Sequence, residues 1–388
     1  MRVALVSGYD WAVPGGAQGQ VAALARALVA MGETVAVVSP QKTAGSGPPV
    51  PGAQFFRAGR GIPIPVNGSV APVAPTPAAA LATVRALRAF APDVVHVHEP
   101  LVPGPPLAAM LAGPRPIVAT FHRADADALY RAEGMLLGSA VGKRCAVATG
   151  VSAAAIETAR TVLRRHTPRL LEVGNGVEVD RFERARLARE ALRAPSGTFK
   201  GGAAPVVAFV GRHERRKGAS VLLDAFALVG IGDQFADARL IVAGDGPESS
   251  DLRRRAAGDP RIFFPGRIDD DEVAALVASA DVLVAPAIAG ESFGMVLLEA
   301  MAAGTAVIAS DIPGYSLAAS GAARLFAAGD PRDLASALGK VLADEVGRKA
   351  LVERGLARAR ACSIDVIAQR YRQVYGSVAL ESGPRPEA

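Results

Sequence analysis

The chain has 388 residues, half of them apolar and only 5% aromatic, with a formal net charge of +6. That length and apolar content exclude a disordered or fibrous protein and leave room for two domains of ordinary size. Two cysteines are too few for a disulfide framework and fit a reducing compartment, and the scattered basic residues lack the aromatic neighbours that stacking on bases requires, so no nucleic-acid partner is expected.

At the amino terminus, VALVSG (3–8) is a short apolar run closed by glycine, the pattern of a buried parallel strand. MRVALVSG is too short, and too soon followed by Asp10, to be a signal peptide, and no run reaches the roughly 18 apolar residues of a spanning helix. A cytoplasmic location is expected. The loop YDWAVPGG follows, then a helical pattern over about 17–31 and a second strand, TVAVVS (34–39). Residues 44–77 are rich in Pro and Gly, and GIPIPVNGSVAPVAPTP holds five prolines in seventeen residues, which excludes a helix. An ordered surface excursion or a pair of short edge strands is expected there. VVHVHEP (94–100), PIVATFH (116–122) and CAVATGVS (145–152) continue the strand pattern, so a parallel sheet covered on both faces is predicted.

The polar stretch 184–203 breaks the composition, and the pattern restarts. APVVAFVGR (204–212), ARLIVAGDG (238–246), IFFPGR (262–267), DVLVAPA (281–287) and TAVIASD (305–311) make a second doubly wound unit. A helical run, IDVIAQRYRQVYGSVAL, closes the chain, and the tail ESGPRPEA is expected to be disordered. The predicted domains are 1–172 plus 366–388, and 173–365. Open α/β sheets bind ligands at the carboxyl ends of their strands, so the loops leaving the strands are the places to look for chemistry.

PGGAQGQ (14–20) joins the first strand to its helix. Gly15 and Gly16 let backbone approach a bulky ligand, and the helix start offers bare N–H groups. A plain tight turn is the competing reading. A dinucleotide fingerprint needs glycines directly after the strand and an acid at the end of strand two. Here strand two ends in Ser39-Pro40, against NAD. His122 stands at a strand end, where it can hydrogen-bond a sugar hydroxyl or simply cap a helix. Asp125 and Asp127 follow as a DxD pattern, read as the start of a solvated helix more readily than as a metal site. In GRHERRKG (211–218), Arg212 and Lys217 are placed to hold one diphosphate, the alternative being a solvated basic loop. Only six of the 43 basic residues are lysines, which gives Lys217 added weight. AGDGPE (243–248) is a weak signal common to many nucleotide proteins.

GESFGMVLLEAMAAG brackets an apolar helix with Glu291 and Glu299. Ser292-Phe293-Gly294 has the pattern of a helix start, which favours a phosphate. A helical spacing would put the two acids about 12 Å apart along the axis, farther than the roughly 5–9.5 Å of a glycosidase pair. One long ligand fits better: a sugar hydroxyl on Glu291, phosphates at the helix start, ribose hydroxyls on Glu299. Pairing of Glu299 with an arginine is the structural alternative.

Together these residues resemble retaining glycosyltransferases of family 4, of GT-B fold: two Rossmann-like domains facing a cleft, with a final helix crossing back to the first. GESFGMVLLEAMAAG is similar to the family's E-x7-E signature and GRHERRKG to its phosphate-gripping loop. PGGAQ, NGSVA (67–71), HVHEP (96–100), IVATFH, NGVEVDRF (175–182) and AGESFG resemble the phosphatidylinositol mannosyltransferases of actinobacteria. The resemblance implies transfer of a hexose, mannose from GDP-mannose, to a lipid-linked acceptor, phosphatidyl-myo-inositol. It implies retention by front-face attack without a protein nucleophile, with a diphosphate oxygen helping to take the acceptor proton. Gly15 and Gly16 would approach the donor, and Arg212 and Lys217 would neutralise the diphosphate. Ser292, Phe293, Gly294, Met295 and Val296 would meet the phosphates, Glu291 the mannose, Glu299 the ribose and Ile268 the base. Tyr9, Gln18, Asn67, Ser69 and His122 would line the acceptor, His122 also touching the donor sugar. No cofactor or metal is implied as required, Mg2+ being at most a stimulant, and peripheral contact with an anionic membrane at the inner face is implied. Two departures concern the acceptor side. The basic cluster of the membrane-facing helix is reduced to Arg85 and Arg88, and Pro72 and its neighbours stand where arginines are expected after NGSVA. The alternatives are a UDP-sugar donor with another acceptor, which includes a small polyol, a GT-B epimerase or phosphorylase, and a non-catalytic nucleotide-sugar binder.

Overall fold

The computed structural model describes residues 1–13, 15–43, 50–66, 69–124, 128–193, 204–229 and 235–381. Asn67, Asp125, Asp127 and the tail from 382 lie outside them. The chain divides into two compact units, Met1–Gly176 with Ile364–Ala388, and Val177–Ser363.

The first unit runs β1 (Arg2–Val6), α1 (Gly16–Ala30), β2 (Thr34–Ser39), β3 (Gln54–Arg57), β4 (Ile62–Val66), β5 (Ser69–Val73), α2 (Pro77–Phe90), β6 (Val94–His98), α3 (Pro105–Ala112), β7 (Ile117–Phe121), α4 (Ala128–Arg144), β8 (Val147–Gly150), α5 (Ala153–Leu163) and β9 (Arg169–Glu172). Seven of these strands form one parallel sheet in the order β3-β2-β1-β6-β7-β8-β9. The two-residue period of a strand explains the layers. Val3 and Leu5 of β1 join the core under α1, while Ala4 and Val6 join the core on the opposite face. The Pro-rich excursion resolves into β3 on the sheet edge and an antiparallel β4–β5 hairpin, in which Pro63 faces Pro72. Prolines are tolerated because the contact on the outer side of β5 uses the Pro72 carbonyl, which accepts Asp10 N at 2.7 Å, and not a missing N–H.

The second unit runs α6 (Val179–Leu187), α7 (Arg189–Arg193), β10 (Val206–Val210), α8 (Ala219–Val229), β11 (Arg239–Ala243), α9 (Ser249–Arg255), β12 (Ile262–Gly266), α10 (Asp270–Ser279), β13 (Val282–Ala285), α11 (Met295–Ala302), β14 (Ala306–Ser310), α12 (Pro313–Ala319), β15 (Arg324–Phe326), α13 (Pro331–Ala343) and α14 (Glu345–Ala361). Its parallel sheet has the order β12-β11-β10-β13-β14-β15. The last helix, α15 (Ile364–Glu381), returns to the first unit. Ile364, Ile367, Ala368, Tyr371, Val374, Tyr375 and Val378 form its buried stripe, at helical spacing, against α1 and the sheet. Each such large apolar side chain stabilises the fold by about 1.5–3 kcal/mol.

In both sheets the strand order reverses beside the first strand: between β1 and β6, and between β10 and β13. Three strands were not singled out in the sequence, β3, β9 and β15. All are short sheet-edge strands with an arginine at one end, so none carries a long apolar run.

Candidate functional site: two strand-exit half-sites

In the second unit, the reversal point brings the loop after β10 against the loop after β13. The β10 loop ends in a single 3-10 turn, Arg215–Lys217, stopped by Gly218 in the left-handed region (φ 68°). A Cβ there would collide with the Pro286 carbonyl oxygen, and Ile288 N donates to Arg216 O at 2.8 Å. Glycine at 218 is therefore what lets the two loops lie side by side.

That approach assembles a charge cluster. Glu214, only 4% exposed in its side chain, accepts Arg216 Nε at 2.9 Å and pairs with Arg212 Nη2 at 3.0 Å. Arg216 also donates through Nη1 to Glu291 Oε1 at 3.0 Å, and Lys217 Nζ donates to the same oxygen. Three cations thus converge around two carboxylates, a cationic excess suited to a ligand carrying two phosphates. The sequence singled out Arg212, Lys217 and Glu291; it missed Arg216 and Glu214. The signal was present in the ERRK spacing, but only the 3-10 turn shows which arginine turns inward.

Helix α11 begins at Met295, not at Ser292. Gly294 takes φ 90°, and a Cβ there would collide with the ring of Tyr315. The expected helix start at Ser292-Phe293-Gly294 is thus corrected: Phe293 is buried, and Gly294 is the cap. Because Glu291 lies outside the helix, the helical projection relating it to Glu299 does not apply. The Gly294 cap offers α11 no side-chain hydrogen bond, and its first turn holds no acid that would compete with an anionic ligand. Met295, Val296 and Ile268 are half-buried on the rim of the same core.

Glu299 is half-buried, and its carboxylate forms no ion pair or hydrogen bond with a described residue. Arg181 is already committed to Glu178 at 3.9 Å, Asp270 at 3.5 Å and Asp271 at 3.3 Å. Burial, with the negative charge of Asp270 nearby, pushes the Glu299 carboxyl up to about 7. The structural alternative, a Glu299–Arg pair, is absent among the described residues. The polar groups of the AGDGPE exit are engaged locally, where Asp245 and Ser249 close on buried His213, whose Nδ1 meets Ser249 Oγ at 2.9 Å.

In the first unit, α1 starts at Gly16 with extended Gly15 as its cap, no side-chain cap and no acid in the first turn. A Cβ on Gly16 would meet nothing within 4 Å, so the side-chain direction at the helix start is open. Gln18 is turned inward, donating through Nε2 to Val13 O at 3.0 Å and Asp10 O at 3.4 Å, and so holds the preceding loop. Tyr9 forms a bridge to Val73, the last residue of β5, the strand that begins at Ser69.

His122 leaves β7 with its backbone N–H on Glu99 Oε1 at 2.8 Å and its Nε2 at 2.9 Å from His98 Nδ1. His96, deeper in the same strand as His98, bonds Tyr375 Oη at 2.7 Å and Thr120 Oγ1 at 2.6 Å, so α15 closes the chain from beneath. Burial drives all three imidazoles toward the neutral form, His96 down to about 3, even though Glu99 opposes this at His122. His122 is therefore suited to hydrogen-bond a hydroxyl rather than to act as a cation. Glu99 has φ 56°, an uncommon conformation outside glycine, and its second oxygen accepts Tyr130 Oη at 3.1 Å. Arg123 hydrogen-bonds Tyr9 and lies 4.7 Å over the Tyr130 ring. Burial, then Glu99, pushes the Tyr9 hydroxyl up to about 12. His98, Glu99, Arg123 and Tyr130 were not singled out from the sequence. Among the described residues no helix is long and apolar enough to cross a membrane, and no cluster of three metal-ligating side chains occurs.

Comparison with known proteins adds to this geometry. Residues 14–181 match the family model described as Glycosyltransferase Family 4, and residues 204–344 match Glycosyl transferases group 1. The chain is 37% identical to a phosphatidyl-myo-inositol mannosyltransferase of Mycobacterium leprae, over 98% of this chain and 97% of that protein. It is 35% identical, over 56% of its length and 54% of the relative's, to a D-inositol 3-phosphate glycosyltransferase of Corynebacterium urealyticum. Among solved structures it is similar to HepE from Anabaena in complex with UDP, with a TM-score of 0.69 at 17% identity, over 97% of this chain and 100% of that one. With a glycosyltransferase model on each half and a likeness over nearly the full length, the chain belongs to glycosyltransferase family 4, an enzyme of the GT-B fold.

Proposed function

We propose that this enzyme moves mannose from GDP-mannose to phosphatidyl-myo-inositol with retention of the anomeric configuration. The observation that carries the reading is the near full-length likeness to a phosphatidyl-myo-inositol mannosyltransferase. In this reading the second unit binds the donor. Arg212 and Lys217, with Arg216, take up the charge of the departing diphosphate; the amides of Met295 and Val296 and those at Gly15 and Gly16 face phosphate and sugar. Glu291 holds mannose hydroxyls, Glu299 the ribose diol, and the backbone near Ile268 the base. The first unit binds the acceptor around Tyr9, Asn67, Ser69 and His122, while Gln18, expected at the acceptor, holds the loop before α1. Neutral His122 accepts or donates one hydrogen bond to a sugar hydroxyl, and a donor diphosphate oxygen helps to take the acceptor proton. The chemistry needs no metal, and the enzyme works at the inner face of the membrane.

The test is mass spectrometry of lipids after incubation of the protein with GDP-mannose and phosphatidylinositol vesicles. Gain of one hexose by the lipid is expected; no gain, with the donor consumed only when another acceptor is added, overturns the acceptor. A second reading has its own support. The likeness to a D-inositol 3-phosphate glycosyltransferase favours a soluble inositol phosphate acceptor, with UDP-sugars as the donors to screen beside it. Both readings share an inositol ring bearing a phosphate.

Glu299 gives a pH test of the donor site. Its carboxyl sits near 7 in the free protein, so the ionised form that accepts two ribose hydroxyls fills as pH rises. GDP-mannose affinity is expected to rise by about tenfold from pH 6 to pH 8, and Glu299→Gln to flatten the profile. Calorimetry at several pH values measures it, and an equally steep profile in the variant removes Glu299 from the ribose.

A further inference from the structure

The two-residue period of β6 and β7 sets a line of polar side chains on an apolar face. Val94 and Val118 lie in the core that α15 covers, while Val95, Val97, Ala119 and Phe121 lie in the core on the opposite face. His96, His98 and Thr120 alternate with the second group and so stand on the α15 face. An imidazole buried there costs stability unless its ring nitrogens find partners. His96 meets that condition at both nitrogens, through Tyr375 and Thr120, and braces α15 on the sheet. His98 does not. It is 4% exposed, its Nδ1 meets His122 Nε2 at 2.9 Å, and its buried Nε2 bonds no described residue. As filling for the core, valine or leucine would serve better. What distinguishes His98 is its contact with His122, whose ring lies 5.2 Å away and within 23° of parallel.

We propose that His98 is a positioning residue for the transfer reaction: its Nδ1–H donates to His122 Nε2 and so fixes His122 as the tautomer that carries its proton on Nδ1. Burial keeps both rings neutral, so each has a single N–H, and one of the two lies in the shared bond. If His98 donates, its buried Nε2 keeps an unused lone pair. If His122 donates, that nitrogen carries an N–H without an acceptor. The pattern of buried backbone groups, where an orphaned N–H is rarer than an under-used acceptor, favours the first. Glu99 Oε1 meanwhile accepts the backbone N–H of His122, so main chain and ring are both held. His122 is half-buried, and its Nδ1 bonds no described residue. As a fixed N–H donor, Nδ1 matches one hydroxyl oxygen of a sugar. Without His98 the ring can turn and its proton can move to Nε2, so the donor is in place only part of the time. The inference rests on the assignment of His122 to the substrate.

The experiment compares wild type with His98→Leu and His98→Asn in the full chain. Leucine fills the site without a ring nitrogen, whereas the asparagine amide can set an N–H where Nδ1 stood. Transfer from GDP-mannose to detergent-dispersed phosphatidylinositol is measured for each, with GDP affinity by calorimetry and a thermal melt. Nitrogen NMR of isotope-labelled histidine, with the His122 signals assigned by their loss in His122→Gln, reads which ring nitrogen carries the proton. His98→Leu is expected to lower kcat at least about tenfold while GDP affinity and a cooperative melt are kept, and His98→Asn to recover most of the loss. In wild type the His122 proton is expected on Nδ1, and in His98→Leu on Nε2 in part or in full. A wild-type proton on Nε2 overturns the proposal, as does normal turnover in His98→Leu. Equal losses in the leucine and asparagine variants also overturn it, since a merely structural histidine gives that result. His122→Gln with normal turnover overturns the assignment of His122, and the inference with it. Absence of transfer by the wild type overturns the mannosyltransferase reading instead, and the tautomer of His122 then decides the His98 bond by itself.

Discussion

Lys217→Ala is expected to lower kcat at least a hundredfold, with a smaller change in the KM for GDP-mannose. As the glycosidic bond breaks, negative charge accumulates on the diphosphate, so a cation fixed beside it stabilises the transition state more than the bound donor. Removing one preorganised electrostatic partner typically costs about 2.7–4 kcal/mol, a factor of about 10² to 10³. In the free protein Lys217 is held on Glu291 at the end of a 3-10 turn, so its position is set before the donor arrives. Arg216 lies next to it but is shared between Glu214 and Glu291, and does not replace it. Exposed Arg215 on the same turn is the control, and Arg215→Ala should leave turnover near normal. Steady-state kinetics of both variants decide the matter; near-normal turnover in Lys217→Ala removes it from the chemistry.

Glu291→Ala should cost a similar hundredfold or more in turnover, while affinity for GDP holds or rises. The carboxylate accepts Arg216 and Lys217 in the free protein, so its loss leaves both cations without that partner and more available to phosphate. In the proposed reading, what is lost is the acceptor for mannose hydroxyls, a contact that the nucleotide alone never makes. Glu291→Gln should fall between, since an amide still accepts one hydroxyl but no longer neutralises Lys217. Kinetics combined with GDP calorimetry separates the roles. If GDP affinity falls as far as turnover, Glu291 serves the phosphate cluster and not the sugar.

Much of this candidate site was legible because its parts are local. The E-x7-E stretch and the GRHERRKG loop each place charged residues beside glycines within one strand exit, and strand exits show in the alternation of apolar runs. The start of α11 was set three residues too early, because a Ser-Phe-Gly run looks like a cap until the ring of Tyr315, twenty-one residues past Gly294, claims the space over Gly294. Arg216 escaped notice because three consecutive basic residues give no hint of which one turns inward. His98 and Glu99 stood in a quoted stretch, HVHEP, but their bonds to His122 cross from β6 to β7, and strand register is not written in either segment.

By itself the sequence determined two doubly wound units, their strand-exit loops and the identities of the charged residues, because hydrophobic period and glycine placement act over a few residues. The tertiary structure alone decided which of those residues meet. The strand order that sets β10 beside β13 joins Lys217 to Glu291 across 74 positions. The return of α15 brings Tyr375 to His96 across 279. Burial of Glu299, with Asp270 nearby, raises its carboxyl even though Arg181 acts against this. Such contacts depend on packing between segments distant in the chain, and it is burial there that shifts the protonation of Glu299 and of the three histidines.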